Sequence, residues 1–118
     1  MLAADYRFHG HRSLSFLLHR GRTIRGEHIG LKFIQNNRRQ ESRCAVVVAR
    51  KVTKRAPVRN RIRRRIYELI RAEWPTIAKG YDFAFFVYDQ EIASLEHNAL
   101  KEQIDSLLER ANMYVDDL

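Results

Sequence analysis

The chain has 118 residues, 45% of them apolar, with 22 Lys and Arg against 14 Asp and Glu, a net charge of +8 and a pI near 10.1. That length suits one domain of about 100–150 residues with one core, and the apolar share excludes a chain disordered throughout. A single cysteine, Cys44, excludes an internal disulfide and a thiolate zinc site; Met1–Arg7 has no apolar signal core and no window nears the ~20 apolar residues of a membrane span, so a cytoplasmic protein without membrane contact is expected.

Residues 13–20 read as a short helix capped by Ser13 and ended by Gly21. Strand patterns follow at Thr23–Arg25, Ile29–Ile34 and Cys44–Ala49, the last two separated by the polar stretch Gln35–Arg43 in the manner of a hairpin with a mobile loop. Cys44–Ala49 is apolar at every position, the pattern of a strand covered on both faces, so it is expected at the centre of its sheet, with Cys44 a small buried apolar residue. Pro57 suits the first turn of a helix, where its missing N–H costs nothing, and Pro75 marks the far end, giving a helix of about 57–74. Asp82–Tyr88 reads as a fourth strand. From Ile92 through Leu95, Ala99, Leu100, Ile104, Leu107 and Leu108 to Ala111, apolar residues recur at helical spacing through one terminal helix. The expected architecture is a single α+β domain over 1–118, in the order α-β-β-β-α-β-α, with a four-stranded sheet and a central basic helix.

The charge is unevenly spread. Up to Lys79 there are 20 Lys and Arg against 5 Asp and Glu; from Gly80 onward, 2 against 9. The basic part can neutralise phosphates, and the acidic, Leu- and Ile-rich end reads as structural cover. At about 100° per residue, Val58, Ile62, Ile66, Leu69 and Ile70 share one apolar arc facing the sheet. Asn60, Arg64 and Arg71 lie opposite it, Arg61 and Arg65 on one flank, Arg59 and Arg63 on the other. Glu68 is the sole carboxylate near these arginines, so they repel one another until an anion arrives, and guanidinium forks match phosphate oxygens. Arg50, Lys51, Lys54 and Arg55 add four charges just before the helix N-terminus, itself favourable to anions. A nucleic-acid partner follows.

The segment Val48-Ala49-Arg50-Lys51-Val52-Thr53-Lys54-Arg55-Ala56-Pro57-Val58-Arg59-Asn60-Arg61-Ile62-Arg63-Arg64 strongly resembles the signature of the bacterial ribonuclease P protein subunit, in which a strand ending in two basic residues leads to an Arg-Asn-Arg helix start. The likeness runs over roughly residues 7–112, from the helix ending at Gly21 to the leucine-rich last helix. It implies a non-catalytic subunit, inactive alone, of an endoribonuclease whose large RNA uses magnesium ions to cut precursor tRNA and leave a 5′-phosphate. The protein itself would bind no cofactor, magnesium being held chiefly by the RNA. Arg59, Asn60, Arg61 and Arg64 would face the catalytic RNA; with the charge pattern, the docking surface is expected to comprise Arg50, Lys51, Lys54, Arg55, Arg59, Asn60, Arg61, Arg63, Arg64, Arg65 and Arg71. The 5′ leader would lie in a cleft between the first helix and the sheet, against Leu14, Leu18, Lys32 and Arg50. Relatives often carry aromatics at the places of Leu14, Leu18 and Lys32 and basic residues at those of Tyr67 and Tyr88. Stacking faces for leader bases are therefore sought in Phe16, Phe33, Phe86 or Tyr88, with Phe86 and Tyr88 placed in the leader site. The resemblance also implies a left-handed crossover from Cys44–Ala49 to Phe83–Tyr88, against the rule that about 98% of such crossovers obey.

Two other readings compete. A protein-only nuclease would need His9, His11, His19, His28 or His97 as acid and base, yet no carboxylate or thiolate cluster accompanies His9 and His11 in sequence, and no catalytic or metal-ligating set is expected. A structural RNA-binding protein of ribosomal type would share the basic helix and the small α+β build. No obligate protein partner is evident.

Overall fold

Apolar Ile29, Leu31 and Phe33 alternate with Gly30, Lys32 and Ile34, so a strand here sends one apolar row to each side of a sheet, the first richer than the second. The computed structural model describes residues 6–7, 11–36 and 40–115. Its elements are α1 (His11–Arg20), β1 (Arg22–Arg25), β2 (Ile29–Gln35), β3 (Arg43–Val48), α2 (Ala56–Glu73), β4 (Tyr81–Val87) and α3 (His97–Arg110), with 3-10 turns at Trp74–Thr76 and Gln90–Ala93. The α-β-β-β-α-β-α order is as expected, and none of the helices among the described residues is long and apolar enough to cross a membrane.

The sheet order is β1-β2-β4-β3. β2 pairs antiparallel with β1 and β4, and β3 runs parallel to β4, with Val46 beside Phe85 and Val48 beside Val87. One face presents Ile29, Leu31, Phe33, Cys44, Val46, Val48, Phe83, Phe85 and Val87 to α2 and α3 in the main core. The other receives α1, whose fully buried Leu17 rests on Ala45 and Ala84, flanked by Leu14, Ile34 and Phe86. Gly21 closes α1 as expected: its N–H donates to the Leu17 carbonyl at 2.8 Å, and a Cβ there would lie 2.6 Å from that oxygen.

Four expectations are corrected. β2 and β3 do not form a hairpin, because β4 lies between them; residues 37–39 of their connection lie outside the described residues. β3 is an edge strand. Its two covered faces come from helices on both sides of the sheet, and its open edge is protected otherwise: the Tyr67 hydroxyl accepts from the Val46 N–H at 3.1 Å, and Arg7 makes a parallel bridge to Cys44. α1 begins at His11, two residues before Ser13, which therefore lies inside the helix and is not its cap. Finally, the apolar series from Ile92 is split into a 3-10 turn and α3. Two acidic caps start two helices here, Asp89 accepting from the Glu91 N–H at 3.0 Å and Glu96 from the Ala99 N–H at 3.1 Å.

α3 ends in a motif that the apolar spacing did not announce. Asn112 has φ 56°, and the N–H groups of Asn112 and Met113 donate to the Glu109 and Leu108 carbonyls, a left-handed helix stop that returns Met113 to the core. Cys44 is fully buried, as expected, and burial pushes its thiol pKa up, away from reactivity.

Candidate nucleic-acid interface

Val48 is the last paired residue of β3, and the chain must turn before α2 can lie back on the sheet. The turn is tied by Val52 N–H to the Ala49 carbonyl at 3.0 Å and by Arg55 N–H to the buried Thr53 hydroxyl at 3.3 Å. Arg59 then reaches back from the first turn of α2 to the Thr53 carbonyl at 3.0 Å. Arg50, Lys51, Lys54 and Arg55 are exposed around this ordered connector. Arg55 occupies the N-cap position without a side-chain cap, Pro57 follows in the first turn, and no acidic residue lies there. The positive end of the helix dipole thus lies beside four cations with no acidic partner among the described residues.

The buried side of α2 comprises Ile62, Ile66, Tyr67, Leu69 and Ile70, with Val58 partly buried against the same core. The expected arc is therefore correct, widened by Tyr67. Asn60, Arg61, Arg64 and Arg71 are exposed, and Arg59, Arg63 and Arg65 are half-buried. These arginines divide by what they touch. Arg63 donates to the Asn60 side chain at 2.7 Å, and Arg71 is paired with Glu68 at 3.1 Å. Arg65 turns toward the β4–α3 connection, donating to the Ile92 carbonyl at 2.5 Å and also to that of Leu95. Burial, and then the neighbouring Arg61, depress its pKa. Arg61 and Arg64 have no hydrogen bond or ion pair among the described residues. With Glu68 and His97 they border a shallow hollow between α2 and the start of α3.

Across the sheet, α1 brings several of the expected leader residues together. Leu14 and Phe86 are partly buried against Leu17, whereas Leu18 and Phe16 are exposed. The Lys32 ammonium donates to the Leu18 carbonyl at 2.6 Å and so closes the last turn of α1. Tyr88 lies across Gly30, so closely that a Cβ on Gly30 would sit 1.9 Å from its hydroxyl, and the Arg25 guanidinium is 4.8 Å from the Tyr88 ring centroid. Arg50 is exposed just past the end of β3. Phe33, also considered for stacking, belongs to the main core on the opposite face.

A sequence model of the family described as Ribonuclease P matches residues 2–112. The chain belongs to the ribonuclease P protein family. The Ribonuclease P protein component of Roseiflexus castenholzii is 40% identical over 77 residues, 65% of this chain and 62% of that protein, so the chain spans about three fifths of the length of this relative. That of Prochlorococcus marinus is 30% identical over 125 aligned positions, covering 96% of this chain and 98% of the relative. The RNase P protein of Staphylococcus aureus has a TM-score of 0.82 over 93% of this chain and 98% of that one; at 17% identity this likeness speaks for the fold. The RNase P protein of Thermotoga maritima, solved with 1-(4-fluorophenyl)-2-thiourea, has a TM-score of 0.75 at 25% identity, over 84% of this chain and 94% of that one.

In this ribonuclease P family chain, Tyr67 takes a structural part, burying its ring while its hydroxyl oxygen accepts from the edge-strand N–H of Val46. Asp82, at 5% exposure, accepts from Arg43 at 3.0 and 2.9 Å and from Asn36 at 2.8 Å, joining β3 to β4 and to the end of β2. Of the five histidines, His9 and the side chain of His11 lie outside what is described, while His19 bonds the Ser15 carbonyl within α1. His28 stands among three carboxylates, with its Nδ1 2.7 Å from Asp89 Oδ2. Sequence reasoning missed this group because Asp89 and Glu91 come from beyond β4, 61 residues and more away.

Proposed function

We propose that this chain is the protein subunit of a ribonuclease P ribonucleoprotein in the cytoplasm, binding the catalytic RNA and the 5′ leader of precursor tRNA. The connector from Arg50 and the exposed side of α2 form the docking surface for the RNA. Leu14, Leu18, Lys32, Phe86, Tyr88 and Arg50 bound the leader site, where Tyr88, backed by Gly30 and held by Arg25, offers a preset ring for stacking. The observation that carries this reading is that Arg50, Lys51, Lys54, Arg55, Arg61 and Arg64 are exposed and without side-chain partners among the described residues. The turn that carries four of them is fixed by its own hydrogen bonds, so phosphate contacts are made without ordering the backbone.

The chain supplies charge and position rather than a reacting group. Magnesium prefers an all-oxygen shell with several waters, which phosphate-rich RNA supplies, so the ion that activates water falls to the RNA. Purification of the tagged chain from cells, followed by sequencing of the bound RNA, tests the assignment. One structured RNA that cleaves precursor tRNA with magnesium, and faster with the protein restored, is the expected result. Recovery of ribosomal RNA alone would favour a structural ribosomal role, and cleavage by RNA-free protein would overturn the non-catalytic assignment.

A further inference from the structure

We propose that Arg25 is a leader-binding residue: its guanidinium takes a backbone phosphate of the single strand while Tyr88 beside it stacks on a base, the two making one nucleotide subsite at the β1 side of the leader site. The inference rests on the leader reading above and adds to it a cation outside the expected docking and leader sets.

Strand register brings the pair together. Arg25 is paired with Gly30, Gly30 with Phe86 and Phe86 with Val47, so these four form one row across the sheet. Phe86 packs with Leu14 and Leu17 of α1, which places the row on the α1 face. Gly30 contributes no side chain to that row, and Tyr88 fills the space: a Cβ there would meet its hydroxyl at 1.9 Å and its ring at 2.7 Å. The ring is thereby held down beside Arg25, whose guanidinium stands 4.8 Å from the ring centroid. Tyr88 remains 36% exposed, and Arg25 is exposed as well.

The ring contact orients the guanidinium without neutralising it. The Arg25 side chain has no ion pair or hydrogen bond among the described residues; its backbone carbonyl accepts from Arg110 at 3.1 Å. The carboxylates of the adjoining turns, Glu27, Asp89 and Glu91, are drawn to the His28 ring at 3.7, 2.7 and 3.5 Å. A guanidinium resting its plane on an aromatic ring keeps the N–H groups of its edge for phosphate oxygens. Base–aromatic stacking tolerates any base, so the subsite reads a single strand rather than a sequence.

Position decides which substrates reach it. Arg50, past the end of β3, marks the border with the proposed RNA-docking surface, and Arg25 lies on β1 at the opposite side of the sheet. Three strand spacings, about 14 Å, separate Arg25 from Val47, more than one nucleotide spans. A leader entering at Arg50 therefore needs several nucleotides to arrive at Arg25.

The test uses holoenzyme saturated with the full chain and two precursor tRNAs, one with a six-nucleotide leader and one with a single-nucleotide leader, with affinity measured over a series of salt concentrations. Arg25→Gln should weaken binding of the longer precursor by about threefold to tenfold, and by more than it weakens the shorter. For the longer precursor, the slope of log K against log salt should become shallower by about 0.7, the value of one phosphate contact on a single strand. Arg25→Lys, which keeps the charge and gives up the flat stack, should hold the parent slope. Tyr88→Ala should weaken the longer precursor by about fivefold or more. Arg25→Gln loses only an exposed ring contact and should melt within about 4 °C of the parent. If it lost affinity at the parent slope, the arginine would merely hold Tyr88 in place and the proposal would be overturned. Equal losses for the two leader lengths would overturn it too. Should Lys32→Ala and Tyr88→Ala also treat both precursors alike, the leader reading itself fails; should those two discriminate and Arg25→Gln not, the leader site stands without Arg25.

Discussion

Arg65→Ala separates a structural arginine from the neighbouring arginines proposed to face RNA. The substitution removes two charge-assisted hydrogen bonds, to the carbonyls of Ile92 and Leu95, that hold the β4–α3 connection against α2. Each such bond contributes roughly 1.5–3 kcal/mol when fully buried. Arg65 is half-buried, and water can partly replace it, so about 2–3 kcal/mol is expected for the pair. Unfolding entropy of about 2.1 cal/mol/K per residue turns this, for 118 residues, into a fall of about 8–12 °C in melting temperature. Arg61→Ala with Arg64→Ala removes side chains that are exposed and without partners, and should stay within about 0.5 kcal/mol of the parent. RNA affinity, measured well below the lowered melting temperature, should show the reverse order: a change under about threefold for Arg65→Ala, and one to several tenfold losses for the double substitution. Thermal unfolding by circular dichroism and filter binding to the RNA subunit provide the two axes. If Arg65→Ala melted within 2 °C of the parent and lost as much RNA affinity as the double variant, Arg65 would face RNA and would not be a structural arginine.

Salt should weaken RNA binding steeply. If the six partnerless cations each neutralise a phosphate, log K should fall against log salt with a slope of about −4 to −5, and a slope shallower than about −2 would contradict that count. Lys32→Ala should leave assembly with the catalytic RNA nearly intact and reduce affinity for leader-bearing precursor more than for mature tRNA in protein-saturated holoenzyme; equal loss for both would move the leader away from this face. Because Lys32 also closes α1, its loss should lower stability by no more than about 1 kcal/mol. Glu73 gives a pH dependence: burial and the nearby Asp105 raise its carboxyl from 4.5 to about 7, against the opposing influence of Lys101 and Tyr114. The folded state thus holds a proton that the unfolded chain releases, so this contribution is complete below about pH 4.5 and is lost as pH rises through about 7. Asp105, despite the cost of burial, is held low by hydrogen bonds from Glu73, Lys101 and Tyr114 and does not titrate in that window. Urea unfolding of Glu73→Gln and the parent at pH 4 and pH 8 checks the sign: the variant should gain relative stability at the higher pH, and no change between the two would refute it.

Most elements were legible because their signals are local. Pro57 and the Ile62, Ile66, Leu69 and Ile70 spacing marked α2 to within a residue, and alternation through Ile29–Ile34 marked β2. Strand order was not legible, since apolar runs report burial and not neighbours. Cys44–Val48 is covered by helices on two sides and is buried like a central strand while standing at the edge. The place of β4 between β2 and β3 rests on pairings 39 to 58 residues apart in the chain, which no window reveals. For the candidate site, composition located the basic surface and helical phase sorted most of its arginines. It could not separate Arg65 from Arg61, which occupy the same flank at 100° per residue, because the difference is made by the carbonyls of a distant turn. The His28 group was invisible for the same reason.

The parallel pairing of β3 with β4 sets how the two proposed RNA-facing surfaces relate. Parallel neighbours leave the sheet in the same direction, so the connector that follows Val48 and the residue that follows Val87 emerge at one end. The first carries Arg50 to Arg55 into α2; the second is Tyr88, lying over Gly30 on the α1 side. Arg50 stands where these meet, which is why charge reasoning assigned it to the docking surface and the resemblance assigned it to the leader site. An antiparallel β3 would have sent its basic connector to the opposite end and separated the basic helix from Tyr88 by the length of the sheet. The crossover β3–α2–β4 would thus bring the catalytic RNA proposed for one surface and the leader proposed for the other to a common border, with no jointed element needed between them.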